Sequence, residues 1–403
     1  MKKLLQINVV ANSGSTGHIA EEIGQLVRAN GWESYLAYGR WACPSQSELI
    51  RIGNSFHTLS HAAQSFLLDR QGLGSAGSTR RLLDQIREIR PDIIHLHNLH
   101  GYYLNYKILF EFLADAGIPV IWTLHDCWSM TGHCTHFEHI GCNKWKSGCQ
   151  ECPNLQHYPK SLFRDNSQAN YQWKKRLFPA VKNLTLVPVC PWLDRIVQDS
   201  FLKNVGRQVI VNGIDLERFH PIDSRAKIEQ AFRLNDRYLL LGVSTFWNAD
   251  KGMDDLMYLR RLLPSRYLIL MVGLTRRQIG RLPAGMIGIE RTEDTAQLAE
   301  LYSAADVFVN PTYQDTLPTV DIEALACGTP VVTYQTGGSA DIVSPDTGFV
   351  VERGNRQALL DAILRVIEKG RPFYTKACRR RTEKYFNKLD RFQDYLQLYD
   401  QLT

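Results

Sequence analysis

The sequence predicts an α/β protein of two doubly wound parallel-sheet domains, and three observations carry that expectation. The chain has 403 residues, room for two ordinary domains of roughly 150 residues each. Short β-rich runs alternate with helical patterns, the rhythm of a parallel sheet covered by helices on both faces. The alternation pauses at residues 209–221 and then restarts.

In chain order, a strand at 4–10 leads into a helix from about Ile19. A second strand at 35–38 ends in Gly39 and Arg40, a third at 92–97 precedes a helix over 106–114, and a fourth lies at 119–124. The run 208–211 and the turn signal Asn212-Gly213-Ile214-Asp215 mark the domain boundary. Strands follow at 238–245, 268–273, 306–310 and 330–334, each leading into a helical segment. Residues 375–402 read as one helix, with Tyr385, Phe386, Leu389, Phe392, Tyr395, Leu396 and Tyr399 at three- and four-residue spacing. The expected division is 1–213, 214–384, and a helix at 385–403 that packs back on the first domain.

Hydrophobic residues at 44% and charged residues at 22% match a folded globular chain and argue against disorder. The net charge of +6, from 47 basic and 41 acidic residues, favours phosphate-bearing ligands or an anionic membrane face and requires no nucleic acid. The first apolar run is too short for a signal sequence and is interrupted by Gln6 and Asn8. No apolar stretch approaches the ~20 residues that span a bilayer. A cytoplasmic protein is expected, its nine cysteines mostly reduced. Lys160, Arg164, Lys174, Lys175, Arg176 and Lys182 alternate with Leu162, Phe163, Tyr171, Trp173, Leu177 and Phe178, against the single acid Asp165. That stretch reads either as a weak dock on the anionic inner membrane or as core-facing aromatics under a solvated cationic face.

Several segments can carry chemistry. The first strand runs into a loop with Gly14, Gly17 and His18, where backbone amides can approach an anion at a helix N-terminus; a tight turn without a ligand is the plain alternative. The loop lacks the dinucleotide spacing G-x-G-x-x-G, and the second strand ends in Arg40 rather than an acid that would hold a ribose, which disfavours a nicotinamide dehydrogenase. His95 and His97 share one face of a strand, with His100 just beyond, and read as cleft-lining or supporting histidines rather than metal ligands. His125 and Asp126 reach the same rim, where a histidine binds a hydroxyl or exchanges a proton near pH 7, or is simply a satisfied core residue. Cys134, Cys142, Cys149 and Cys152, with His133, His136 and His139 among them, can close a tetrahedral structural zinc site. Free buried thiols, an oxidised loop and a loop held by packing stay open as alternatives.

Later in the chain, Lys251-Gly252 precedes a helix, where a lysine is either an ordinary exposed cation or the partner of a phosphate. Asp315 sits in a loop, Pro318 at a helix start and Glu323 on that helix, which Gly328 ends before Pro330. Two carboxylates flanking a helix N-terminus suit a sugar nucleotide: loop amides for phosphate, carboxylates for the hydroxyls of sugar and ribose. The turn Gly337-Gly338-Ser339 lets a ligand come close.

At these residues the sequence resembles glycosyltransferase family 4 over nearly the whole chain. The resemblance centres on an E-x7-E element, present as Asp315 and Glu323, and the following run to Val332, with Lys251-Gly252 and Asn212 to Asp215 as further matches. It is closest in look to colanic-acid, capsular and exopolysaccharide transferases, in which a His-Asp-Cys-Trp segment and a cysteine-rich loop occur together. The resemblance implies the GT-B architecture, two Rossmann-like domains facing a cleft. It implies retaining transfer of a hexosyl unit from a UDP- or GDP-sugar to a saccharide or lipid-linked oligosaccharide, with no cofactor required for catalysis. By the same carry-over, Glu323 holds the ribose, Asp315 a hydroxyl of the donor sugar, Lys251 the diphosphate and His125 the reacting sugar, with Gly14 and Gly17 facing the diphosphate. Thr316, Leu317 and Thr319 fall beside the donor, and His18, Arg40, His97, His100 and Asp126 on the acceptor side. Thr245 stands where many members carry an arginine, which leaves Arg276 or Arg277 to supply that charge. A nucleotide-sugar 2-epimerase of the same architecture and a catalytically silent assembly scaffold are the alternative functions.

Overall fold

Hydrophobic runs too short for helices, alternating with amphipathic segments, build two parallel sheets in this computed structural model, which describes all residues from Met1 to Thr403. The chain divides into two units, Met1–Ile210 with Phe392–Thr403, and Val211–Arg391.

The first unit runs β1 (Lys3–Asn8), α1 (Gly14–Ala29), β2 (Glu33–Tyr38), β3 (Glu48–Arg51), α2 (Ser55–Leu68), α3 (Ala76–Ile89), β4 (Ile93–Leu96), α4 (Tyr106–Ala116), β5 (Val120–Leu124), α5 (Ser167–Leu177), β6 (Leu184–Pro188), α6 (Pro191–Gln198) and β7 (Gly206–Arg207). Its seven strands lie in the order β3-β2-β1-β4-β5-β6-β7, all parallel. β4 and β5 are buried along their whole length, as central parallel strands covered on both faces must be. Strand order reverses between β1 and β4, so the loops after these strands flank the crevice where open α/β sheets take ligands. The expected strand at 208–211 is instead the short β7; the chain beyond it continues only single bonds, Gln208 N to Leu186 O and Ile210 N to Pro188 O.

The second unit runs α7 (Arg225–Phe232), β8 (Tyr238–Val243), α8 (Met253–Leu262), β9 (Tyr267–Val272), α9 (Arg276–Ile279), β10 (Met286–Ile289), α10 (Thr295–Ala304), β11 (Val307–Asn310), α11 (Thr319–Ala326), β12 (Val331–Tyr334), α12 (Ser339–Ile342), β13 (Gly348–Val351), α13 (Arg356–Lys369) and α14 (Arg371–Tyr385). Six parallel strands follow the order β10-β9-β8-β11-β12-β13, with the reversal between β8 and β11.

The single helix expected at 375–402 is two, α14 and α15 (Lys388–Leu402). Helical bonding stops at Phe386 because the backbone there pairs with Ile214 instead: Ile214 N donates to Phe386 O and Lys388 N to Ile214 O. Gly213 makes this approach possible, since a Cβ on it would lie 2.4 Å from Lys388 Cα. From Phe392 onward, α15 belongs to the first unit. There Phe392, Tyr395, Leu396, Leu398 and Tyr399 join one apolar core with Leu4, Ile23, Ile93, Ile121 and Val187. No helix is long and apolar enough to cross a membrane.

Candidate functional site

In the second unit the loops after β8 and β11 meet through a glycine. Gly252 has φ +74 and a Cβ there would lie 2.1 Å from Pro311 O, so the Lys251 turn is pressed against the loop 311–318. Tyr313 N donates to Asp250 O at 2.8 Å. Lys251 Nζ then reaches Asp315 Oδ2 at 2.7 Å and Gln314 O at 3.1 Å. The two residues expected to bind diphosphate and sugar separately are thus paired with each other. On the far side of Asp315 lies the Gly337 turn, with φ +52; a Cβ there would collide with Asp315 O, and Gly338 N donates to Thr316 O at 2.8 Å. Thr316 and Leu317 are buried in this loop, and Thr319 begins α11.

Glu323, half-buried on α11, accepts a bond from Tyr302 Oη at 2.9 Å. Burial pushes its carboxyl up to about 7, against the pull of hydrogen bonds from Tyr302 and Thr319. Two further carboxylates escaped the sequence reading. Asp321 is fully buried; Oδ1 accepts from Asn310 Nδ2 at 2.8 Å, Oδ2 has no partner, and burial raises its pKa well above the usual range. Asp255 ties α8 to its surroundings, accepting from Tyr334 Oη at 2.8 Å, Tyr313 Oη at 3.2 Å and Arg356 Nε at 2.8 Å. The acidic turn after Gly252 was the only sign of it. Beside this cluster, Thr245, Trp247, Gly273, Arg276, Arg277, Arg281, Glu290 and Arg291 line an open cavity of about 880 Å³. Arg276 is held by Glu290 at 2.6 Å, and Arg277 lines the same wall.

In the first unit, Gly14 has φ +62 and Gly17 lies so close to the loop that a Cβ would come within 3.1 Å of Val10 Cγ2 and 3.3 Å of Asn12 N. His18 is exposed on α1 and bonded through Nδ1 to Asn12 Oδ1 at 2.9 Å. Arg40 stacks over Trp41, 4.1 Å from the ring centroid. The histidines in and after β4 and after β5 divide by depth. His95 is a core residue, bonded to Tyr399 Oη at 2.6 Å and Thr123 Oγ1 at 2.7 Å. His97 is 1% exposed and touches His125 Nε2 at 3.2 Å and Gln6 Oε1 at 3.0 Å, so it backs His125 at the floor of a small cavity that His100, His125 and Asp126 also line. Burial pushes His95 down to about 3 and His125 to about 4, and holds His97 well below the usual imidazole range.

Asp126 pairs with His100 Nε2 at 2.7 Å and with the Trp128 amide at 2.8 Å, not with its neighbour His125. Burial acts to raise its pKa, but the His100 ring and that amide outweigh it and hold the carboxyl at about 2. A carboxylate so engaged is a poor covalent nucleophile.

The four cysteines expected to bind zinc line one small cavity with Phe137 and Trp145. All are free thiols, and burial pushes Cys134 and Cys152 up to about 12. No group of three or more His, Cys, Asp or Glu side chains is placed to hold a metal ion. The loop is held here by packing and by bonds such as Cys152 N to Asp165 Oδ2 at 2.6 Å and Gly132 N to Cys149 Sγ at 3.2 Å. In the basic stretch, Lys174 is not a surface cation: it is buried, pushed down to about 7, and donates to Trp128 O at 2.6 Å and Thr131 O at 3.0 Å. Tyr171, Leu177 and Phe178 are core residues as well. Leu162 and Phe163 remain exposed, at 47% and 71%.

Residues 13–218 match glycosyltransferase family 4, and residues 237–369 match the glycosyl transferases group 1 domain. The chain is 30% identical to a putative colanic acid biosynthesis glycosyl transferase of Escherichia coli over 53% of its own length and 55% of that protein's. It thus spans about half the length of that curated relative. In fold it is similar to sucrose-phosphate synthase from Thermosynechococcus elongatus, with TM-score 0.73 at 19% identity, covering 100% of this chain and 99% of that one. It is also similar to Anabaena HepE in complex with UDP, with TM-score 0.67 at 16% identity and 100% of both chains covered.

Proposed function

Because the chain belongs to glycosyltransferase family 4, we propose that it moves a hexosyl unit from a nucleoside-diphosphate sugar to a hydroxyl of a saccharide acceptor, with retention, in the making of a surface polysaccharide. The observation that carries this reading is the Lys251–Asp315 pair beside Glu323, at the strand-order reversal of the second sheet. An ammonium already delivered to the N-terminal side of α11 meets the charge that develops on a departing diphosphate, with loop and helix amides as further donors. On donor binding, Lys251 exchanges its Asp315 contact for phosphate oxygens, which releases Asp315 to accept from a sugar hydroxyl. Glu323 takes the ribose, and in the first unit His125 takes a hydroxyl of the sugar. The acceptor hydroxyl then attacks from the face the diphosphate leaves, through an oxocarbenium-like state, and the diphosphate receives its proton. The scheme asks for no metal or cofactor, since Lys251 and backbone amides meet the charge.

The arginine-lined cavity beside Thr245 supports a role for Arg276 and Arg277 in place of the missing arginine. The similarity to a colanic acid transferase supports a polysaccharide acceptor, and a lipid-linked one would draw the protein to the cytoplasmic face of the inner membrane. Calorimetric titration with a panel of UDP- and GDP-sugars tests the reading, together with assay for released nucleoside diphosphate. Binding of one or more donors is expected, and a chain that binds none of them is not a transferase of this kind. A structural zinc is a separate part of the proposal and requires the four cysteine sulfurs to draw closer than they stand. About one zinc per chain in reduced protein is the expected content, and metal-free protein with reduced thiols removes it.

A further inference from the structure

We propose that His97, set by Gln6, fixes the tautomer of His125 so that His125 Nδ1 is left as a bare acceptor for a sugar hydroxyl. The inference rests on the reading of His125 as a sugar-binding residue and adds how the chain prepares it. The argument begins at Gln6, whose Nε2 donates to Ala20 O at 2.7 Å. That bond orients the carboxamide, because the flipped amide would set Oε1 against a carbonyl oxygen. Gln6 Oε1 therefore faces His97 Nε2, at 3.0 Å. Oε1 is an acceptor only, so the proton of His97 sits on Nε2.

His97 is buried, with the His95 ring centroid 4.1 Å away and its own carbonyl accepting from Trp122 Nε1 at 2.9 Å. The titratable groups around it are His95, two residues earlier on β4, and His125; neither is a carboxylate that would support an imidazolium. His95 has both ring nitrogens engaged, by Tyr399 of α15 and by Thr123 of β5, and so offers His97 no competing bond. A neutral His97 protonated on Nε2 has only a lone pair on Nδ1. The group facing that lone pair at 3.2 Å is His125 Nε2, which must donate. A neutral imidazole has one proton, and His125 has placed it inward. Asp126 makes no hydrogen bond to His125 and does not compete for its proton: its oxygens accept from His100 and from the Trp128 amide. His125 Nδ1 makes no hydrogen bond within the chain, and the residue is half-buried, open to a ligand. His125 thus accepts from a hydroxyl and does not donate to one, and a donor sugar lacking that hydroxyl leaves a buried acceptor unpaired.

Nitrogen-15 NMR of histidine-labelled protein reads the tautomer directly. The wild type is expected to show His125 protonated on Nε2 with an unprotonated Nδ1, at neutral pH and without ligand. His97→Leu is expected to abolish that single tautomer and to lower kcat/KM for the donor sugar by about tenfold or more, with affinity for the free nucleoside diphosphate unchanged. His97→Asn, which keeps an acceptor for His125, is expected to recover both signals in part. A wild-type His125 protonated on Nδ1 overturns the proposal. So does a His97→Leu protein, folded by circular dichroism, that keeps full donor turnover. If the wild type turns over no nucleotide sugar, the functional reading fails, while the tautomer spectra still decide the wiring.

Discussion

Lys251 and Asp315 satisfy each other at 2.7 Å, whereas Glu323 stands half-buried with its carboxyl pushed up to about 7. A ribose is held better by a carboxylate than by a carboxylic acid. Affinity for nucleoside diphosphate is therefore expected to rise as pH increases through 7, and calorimetry from pH 6 to 8 should lose this slope in Glu323→Gln beyond the ligand's own titration. Glu323→Ala is expected to weaken nucleotide binding by roughly ten- to a hundredfold, the ~1.5 to 3 kcal/mol of a hydrogen bond to a charged group. Asp315→Ala is expected to lower turnover more than nucleotide affinity, because its partner hydroxyl is on the sugar. Asp321 makes a different test. Its folded-state pKa is raised, so the unfolded chain gives up the proton first and stability falls as pH climbs above the unfolded value of ~3.9. Asp321→Asn, which keeps the oxygen that accepts from Asn310, is expected to raise the melting temperature at pH 7 and to change it little at pH 4. The spacing of Asp315 and Glu323 lies within one loop and helix, which is why it could be read from the sequence. Asp321 could not, because only the docking of α11 decides which of its carboxylates is sealed from water.

At the scale of elements, the central strands were legible because each is a short apolar run: 4–10 became Lys3–Asn8 and 119–124 became Val120–Leu124. β3, β6, β10 and β13 were missed, as were several helices, among them α2, α3, α5, α6 and α13; β3 is mostly exposed at the sheet edge, and its sequence carries no such run. The break between α14 and α15 was invisible for another reason, since Ile214, distant in sequence, causes it. The basic stretch gave mixed signals because cations and aromatics do not say which face is inward. With Lys174 and three apolar side chains inside and Trp173 half-buried, the apolar side chains left exposed among the cations are Leu162 and Phe163, joined to α2 by Leu162 N bonding to Phe66 O at 2.8 Å. α2 has no charged residue, and Phe56 and Leu59 on it are 75% and 70% exposed. If this face meets anionic lipid next to Lys160 and Arg164, Phe163→Ser and Phe56→Ser should each reduce co-sedimentation with anionic vesicles, and high salt should reduce it further. Binding indifferent to lipid charge and salt removes the docking, and leaves the transferase reading untouched.

For the whole molecule, the buried titrating groups set the two units against each other on acidification. His61, with Nε2 accepting from the Gly72 and Gly74 amides, is pushed down to about 4; His95, His97 and His125 are lowered too, and all four lie in the first unit. A base lowered in the folded state contributes stability above its unfolded pKa of ~6.5 and loses it as pH falls from there toward the folded value. The slope is about 1.4 kcal/mol per pH unit for each group. Asp321 and Glu323, both raised, act in the opposite sense in the second unit, whereas in the first unit the raised Asp69 is outnumbered by the four histidines. Hydrogen exchange at pH 7 and pH 5, corrected for intrinsic rates, should show protection falling in β1, β4 and β5 before it falls in β8, β11 and β12. Equal loss in both units counts against this assignment.

The return of Phe392–Thr403 to the first unit has a consequence for biogenesis. Translation is vectorial, so a ribosome must deliver all of Val211–Arg391 before it can supply the tyrosines that bond to His95 and Thr123. At ~5–20 residues per second, the first sheet spends on the order of ten seconds or more outside the exit tunnel with that side of its core open, whereas the second unit is contiguous and can close as it emerges. Nascent chains stalled before Phe392 would therefore expose Leu4, Ile93 and Ile121 to chaperones, and a late nonsense mutation would disable the first unit while sparing the second.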